Sequence, residues 1–343
     1  MKPVKRVNKQ KAVKIFILVI VVCVFLWVYF FKIAKNYPAG NYPKNRPGFF
    51  GVTFSKKFCA ELGLDWKQVY LATLDDLQVK EIRLPIYWDD IEAEKGVYDF
   101  SDYDFMLQEG AKRHVKFIVN IGWRLPRWPE CHAPAWNNKN TLEESRQSVL
   151  SMLQAVVEHY RYNPGVIYWQ VENEPFLDAF GVCPPSDINF FKQEVSLVKK
   201  LDTRPVMVSS TGELSFWRQE AAIGDVFGTT VYRVVWGKWT GYIRYPLPAW
   251  FYRLKADLVG LDESRRYVIE LQAEPWVPQG SMIYLSKAEA NKSMSFEQFK
   301  ANLRFAEKID FNKTYLWGVE WWYWQKQNGD DRFWNLAERL FKK

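Results

Sequence analysis

Four glutamates stand where apolar runs end. Glu172 and Glu174 close the stretch Val166-Ile-Tyr-Trp-Gln-Val-Glu-Asn-Glu-Pro175, and Glu270 and Glu274 close Tyr267-Val-Ile-Glu-Leu-Gln-Ala-Glu-Pro-Trp276. A carboxylic acid kept neutral can donate a proton, and a carboxylate facing it can attack as a nucleophile or accept a proton. Two such ends brought together would run acid–base and covalent chemistry. Arg83, in Arg-Leu-Pro-Ile-Tyr-Trp88-Asp-Asp, is a candidate cation for one of them, because a charge-assisted pair holds a carboxylate ionised. The rival role for Arg83 is a structural ion pair. Other chemistries lack their residues. There are three histidines, no His-Glu-x-x-His and no Cys-x-x-Cys, and no phosphate loop or Gly-x-Ser-x-Gly. Neither a metal nor a cofactor is expected.

The elements that must position these groups alternate. Short apolar runs read as strands at Phe49–Phe54, Glu81–Tyr87, Lys116–Ile121, Val166–Val171, Pro205–Ser209, Val226–Val231, Tyr267–Glu270 and Thr314–Val319. Helical stripes lie between them, for example Trp66, Tyr70, Leu74 and Leu77, or Val149, Leu153, Val156 and Tyr160. Thr141 with Glu144 and Ser295 with Gln298 read as capping boxes, Ser101 with Asp104 as a looser one. Eight strands, most of them followed by a helix, predict a single (β/α)8 TIM barrel over residues 49–343. An open doubly wound sheet would usually carry a Gly-rich turn after the first strand, and none is present. The segment Trp236–Trp250, rich in aromatics, Gly and Pro, is the least defined.

In such a barrel the reactive groups lie at the C-terminal strand ends. The fourth and seventh ends face each other across the mouth, an arrangement suited to breaking a glycosidic bond with one acid and one nucleophile. The 17 Trp in the chain suit either a large aromatic core or a groove for flat sugar faces. Trp88, Trp123, Trp276 and Trp321, near strand ends, are candidates for substrate contact. The loop bearing Trp123, Trp128 and Trp136 is either a subsite wall or a packed aromatic cluster. Glu172 and Glu320 are expected to support the mouth rather than react.

The run Trp-Gln-Val-Glu-Asn-Glu-Pro resembles the Asn-Glu-Pro motif of the clan A glycoside hydrolases. Arg83-Leu-Pro with the following Glu-Lys-Gly-Val-Tyr-Asp-Phe, and Trp317-Gly-Val-Glu-Trp-Trp, resemble the clan's second and eighth strand segments. The resemblance covers about residues 49–343 and is nearest to family 5 cellulase-like and family 42 β-galactosidase-like members. It implies a retaining enzyme with a covalent glycosyl intermediate, Glu174 as acid/base and Asn173 on the sugar 2-hydroxyl. It also implies a seventh-strand nucleophile. Glu270 falls at the expected distance from the strand start; Glu274, further into the loop, is the alternative nucleophile or a substrate contact. The segment departs from the common form in lacking a Thr before and a Gly after Glu270. Tyr232 resembles the aromatic that reaches the nucleophile, and Trp321 or Trp317 the platform beneath the sugar.

The N-terminus carries a separate signal. Six basic residues in 1–14 precede Ile15–Phe31, an apolar run at the short end of a membrane span. It reads as an uncleaved transmembrane signal-anchor with the N-terminus in the cytoplasm and the barrel outside, joined by a Pro- and Gly-bearing linker, 32–48. The net charge of +8 owes much to this cluster, so no nucleic-acid surface is expected. Cys131 and Cys183 follow neighbouring strands and are candidates for a disulfide. The expected function is hydrolysis of a glycosidic bond, of β configuration, in an oligo- or polysaccharide. A transglycosylase, or a barrel that binds carbohydrate at the cell envelope without cleaving it, is the alternative.

Overall fold

A computed structural model describes residues 46–342, with isolated positions between Lys14 and Tyr37. The chain divides into an N-terminal unit, residues 1–41, and a barrel unit, residues 42–343. The expected segments 1–14, 15–31 and 32–48 lie largely outside the described residues. Among the described residues no helix is long and apolar enough to cross a membrane.

Among the described residues there are ten strands: β1 (Phe50–Thr53), β2 (Glu81–Pro85), β3 (Lys116–Ile121), β4 (Val166–Val171), β5 (Val206–Ser210), β6 (Val226–Val231), β7 (Val234–Gly237), β8 (Gly241–Arg244), β9 (Arg266–Gln272) and β10 (Lys313–Trp317). Eight close into a parallel barrel in the order β1-β2-β3-β4-β5-β6-β9-β10. All eight expected barrel strands form. The ill-defined segment folds as an antiparallel hairpin, β7 with β8, followed by the helix Ala249–Leu258. The hairpin escaped notice because its strands are four residues long and its sequence mixes Trp, Lys and Gly without a clean alternation.

Alternation along each strand sends side chains to two apolar regions. Ile118, Met207, Val226, Tyr267, Ile269 and Tyr315, with Tyr168, form a small cluster of their own, set inside the barrel. The larger core lies between barrel and helices. Helix Leu142–Tyr160 shows how sequence makes this packing. Its capping box is complete, with Thr141 accepting from the Glu144 amide while Glu144 accepts from the Thr141 amide. Its stripe Val149, Met152, Leu153, Val156 and Val157 is fully buried. Burying each such side chain stabilises the fold by about 1.5–3 kcal/mol. Ser295 caps its helix, but Gln298 turns away to Asn302, so only half of that box forms. Ser101 is the first helical residue rather than the cap, and its amide donates to Asp99 Oδ1 at 2.9 Å.

Two irregularities place chemistry. The pairing of β9 shifts between Val268 and Glu270 against β6, so that Thr230 comes into register with Glu270. β10 stops at Gly318, whose φ of 126° is open to glycine and where a Cβ would lie 2.6 Å from that of Glu274. The eighth strand therefore ends at Trp317, and Val319–Gln327 is a helix.

Candidate active site

The C-terminal end of β4 delivers Glu174 into the barrel mouth. The chain passes through the left-handed region at both Glu172 and Glu174, with φ of 58° and 47°, a conformation that costs a non-glycine residue about 1 kcal/mol and is held only by its surroundings. Those surroundings are specific. The Glu174 amide donates to Ser209 Oγ at 2.9 Å, and its carboxylate Oε1 accepts from Thr230 Oγ1 at 2.8 Å. Glu172 points the other way and accepts the amides of Trp123 and Arg124, at 2.6 and 2.5 Å, tying the β3 loop to the β4 tip. Glu174 is 8% exposed. Burial, and then the charge of Glu270, push its carboxyl up to about 8, so it keeps its proton at neutral pH.

Glu270, 3% exposed, sits at the end of β9 among donors. Arg83 Nη1 reaches Oε1 at 2.6 Å, and the Tyr232 hydroxyl reaches Oε2 at 3.0 Å. Arg83 is itself fully buried and makes three further hydrogen-bond contacts: Nε to Gln170 at 2.7 Å, and Nη2 to Asn120 at 3.1 Å and Asn173 at 2.9 Å. Three strands, β3, β4 and β9, and the β4 tip thus converge on one guanidinium. Burying a carboxylate is costly unless it is paired and hydrogen-bonded, and Glu270 is both. One carboxyl holds its proton, the other is paired with a guanidinium and a tyrosine hydroxyl, and the two interact.

Glu274 lies close by but has a different partner. It pairs with Arg127, whose Nη2 lies 3.1 Å from its Oε2 and 3.3 Å from Glu320 Oε2. The Arg127 guanidinium is held between the rings of Phe58 and Trp317, 3.5 and 3.9 Å from their centroids. Glu320 also accepts the Ser55 amide. This cluster braces the mouth beside the reactive pair.

Among the residues expected to touch substrate, Asn173 and Tyr232 flank the pair, and Trp276 packs edge-on against Tyr232 at 5.7 Å. Trp321 does not join them. Because β10 ends at Trp317, Trp321 falls on the following helix, buried against Phe333 at 4.7 Å. Trp88 is fully buried between Trp123 and Trp136, 6.0 and 5.6 Å away, and its indole donates to Glu92. The β3 loop is therefore, at this end, a packed aromatic cluster, and Trp123 serves as its half-buried edge.

The same loop brings in a group the sequence reading missed. Glu130 is 6% exposed and lies among Glu174, Glu270, Asn173 and Arg124; burial, opposed by Arg124, raises its carboxyl well above the usual range. Cys131 is joined to Cys183, so the β3 and β4 loops form one covalent strap. From the strap, Phe180 meets Trp128 at 6.0 Å and Trp276 at 5.9 Å, which carries the cover across to the β9 side. A cavity of about 70 Å³ opens beside the disulfide, lined by Arg124, Glu172, Phe190 and Glu194, and neither Glu174 nor Glu270 lines it. Among the described residues no group of three or more His, Cys, Asp or Glu is arranged to hold a metal ion.

The fold has known counterparts. Native xylanase 10B from Thermotoga maritima superposes with a TM-score of 0.55 at 14% identity, over 85% of this chain and 94% of that one. A GH5_18 protein from Streptomyces cattleya, solved in complex with GlcNAc, gives a TM-score of 0.57 at 13% identity, over 80% and 71%. In sequence, the β-galactosidase BgaA of Clostridium cellulovorans is 23% identical over 171 residues, 43% of this chain and 26% of BgaA. The match therefore spans about a quarter of that relative. No protein-family model matches the chain. What these likenesses share with the chain is the barrel fold of the clan A glycoside hydrolases.

Proposed function

We propose that this chain is a retaining glycoside hydrolase that cleaves a β-linked glycan, with Glu174 as acid/base and Glu270 as nucleophile. The observation that carries this reading is the division of labour between two buried, interacting carboxyls. Glu174 is pushed up to about 8, and Glu270 is held by Arg83 and Tyr232. A retaining enzyme needs such a pair at close range.

The steps follow from that division. Glu174 passes its proton to the glycosidic oxygen as the bond to the anomeric carbon breaks, while a Glu270 oxygen attacks that carbon to form a glycosyl ester. Glu174, now a carboxylate, takes a proton from water as the water oxygen attacks the same carbon and Glu270 leaves. Arg83 and Tyr232 release and regain Glu270 as its charge disappears and returns. Asn173, 2.9 Å from Arg83, is positioned to meet a sugar hydroxyl beside the reacting carbon. Similarity to a β-galactosidase and a xylanase supports a β-glycan without choosing the sugar.

The N-terminal run 15–31 supports a membrane anchor with the barrel outside the cytoplasm. Described positions within it, such as Phe16, Phe25 and Tyr29, are helical and exposed. The Cys131–Cys183 disulfide suits an oxidising compartment.

A panel of aryl β-glycosides tests the activity. Turnover with retained anomeric configuration by NMR is expected, falling by about 10³-fold or more in both Glu174→Gln and Glu270→Gln. Azide should partly rescue the Glu174 variant as a β-glycosyl azide. Glycan binding with no turnover by the wild type would favour the non-hydrolytic barrel instead.

A further inference from the structure

We infer that the disulfide-tied strap carries a second sugar-binding subsite, away from the bond that is cut, with Trp128 as its outer contact. The substrate this fits is a chain of several sugars rather than a single glycosyl unit. The inference rests on the reading of the mouth as the cleavage site.

Three observations lead to it. First, an unbroken run of aromatic rings leads away from the reactive pair. The Tyr232 hydroxyl donates to Glu270 at 3.0 Å, and the Tyr232 ring meets Trp276 at 5.7 Å. Trp276 meets Phe180 at 5.9 Å, and Phe180 meets Trp128 at 6.0 Å. The rings emerge into solvent as the run proceeds. Tyr232 and Trp276 are half-buried, Phe180 is 37% exposed and Trp128 is 66% exposed.

Second, the exposed end of the run is held in place. The Cys131–Cys183 disulfide joins the two limbs of the strap. Beside it the Val182 amide donates to the Pro129 carbonyl at 2.9 Å, and Arg124 Nη2 donates to the Phe180 carbonyl at 2.7 Å. Trp128 lies in the turn closed by the Glu130 amide, which donates to the Arg127 carbonyl at 2.7 Å. Gly181, φ 88°, lets the limbs approach, since a Cβ there would fall 2.8 Å from that of Glu130. A ring displayed on so fixed a frame loses little freedom when a ligand covers it, and that favours binding.

Third, continuity with the mouth says what covers these rings. Large apolar side chains exposed in a connected row mark a contact surface. This row starts on the side chain that holds Glu270, so a chain with one unit at Glu270 and its next units toward the strap passes along it. The planes of successive rings are turned by 52–86°, so none lies stacked flat on its neighbour. The indole of Trp128 is thus open to the apolar C–H face of a sugar.

Chain length is the readout. The efficiency kcat/KM of the full chain is measured by product release from the disaccharide and the hexasaccharide of β-1,4-linked xylose, glucose and galactose, in the wild type, Trp128→Ala and Trp128→Phe. In the series that is cleaved, the hexasaccharide is expected to be favoured by about tenfold or more. Trp128→Ala should remove most of that advantage, through KM rather than kcat, as loss of an aromatic contact warrants. Trp128→Phe, which keeps a ring, should retain part of it. Trp128 lies at the surface, so its truncation leaves the fold in place. Equal efficiency at both lengths in the wild type, or a length advantage unchanged in Trp128→Ala, overturns the inference. So does a loss in kcat of the same size at both lengths. If no series is cleaved, calorimetry on the same oligosaccharides separates the two readings. Tighter binding of the hexasaccharide that Trp128→Ala abolishes would refute the hydrolase reading and leave the subsite standing, whereas binding indifferent to length or to Trp128 would overturn the subsite as well.

Discussion

Replacing Glu174 by Gln should stabilise the protein at alkaline pH while abolishing its chemistry. The wild-type carboxyl holds its proton up to about 8, against an ordinary 4.5, because burial and then the charge of Glu270 oppose its ionisation. The folded state therefore binds this proton more tightly than the unfolded state does. Stability falls as pH rises from the ordinary carboxylate range through about 8, and the loss is complete above it. Each pH unit is worth about 1.4 kcal/mol, so a gap of about 3.5 units sets a ceiling near 5 kcal/mol. Relaxation and water entry at the mouth reduce this to roughly 2–4 kcal/mol. Glutamine is isosteric, keeps an oxygen for the Thr230 hydroxyl and never ionises. Urea unfolding at pH 5, 7 and 9 measures the difference between the two proteins. Other raised carboxyls whose charge does not act on Glu174, such as Glu320, contribute equally to both curves and cancel. The variant should match the wild type at pH 5 and exceed it by a few kcal/mol at pH 9. Parallel pH dependences would refute the claim that Glu174 is held neutral by its site.

Other perturbations probe the neighbours. Arg83→Met leaves Glu270 buried without its cation, and should cost about 3–5 kcal/mol in urea unfolding and most of the turnover. Thr230→Val removes the hydrogen bond that favours ionised Glu174; its carboxyl should rise further, moving the alkaline limb of the kcat/KM profile up by about half a unit to one unit. Replacing Cys131 and Cys183 by Ala removes a link between residues 52 apart; the chain-entropy cost approaches about 4 kcal/mol, read as a lower urea midpoint.

The barrel was legible because its strands are short apolar runs separated by helical stripes, and periodicity reports both. Glu174 was legible because a strand runs straight into it, and Glu270 because β9 does the same. The distinction between Glu270 and Glu274 was not. It depends on which cation each one meets, and Arg83 and Arg127 come from loops and strands far away in the chain. Trp321 was misread because nothing in Trp-Gly-Val-Glu-Trp reveals that Gly318 takes φ of 126° and turns the chain into a helix. Trp88 was misread because a strand-end position does not say which way a side chain faces; the indole turns to Glu92 and the neighbouring Trp rings. Glu130 was invisible for a related reason. It sits in an irregular loop with φ of 75°, and only the disulfide and the loop's own hydrogen bonds carry it into the mouth. The one local signal was its place next to Cys131, a candidate partner in a loop-joining disulfide.

The assignment of Glu270 is open to a direct chemical test. A panel of mechanism-based fluoro-sugars traps the glycosyl ester of a retaining enzyme on its nucleophile, and peptide mapping by mass spectrometry names the residue. The label is expected on Glu270, with trapping lost in Glu270→Gln and retained in Glu274→Gln. A label on Glu274 or Glu130, or turnover of these sugars with no ester formed, would contradict the division of roles proposed for this barrel mouth.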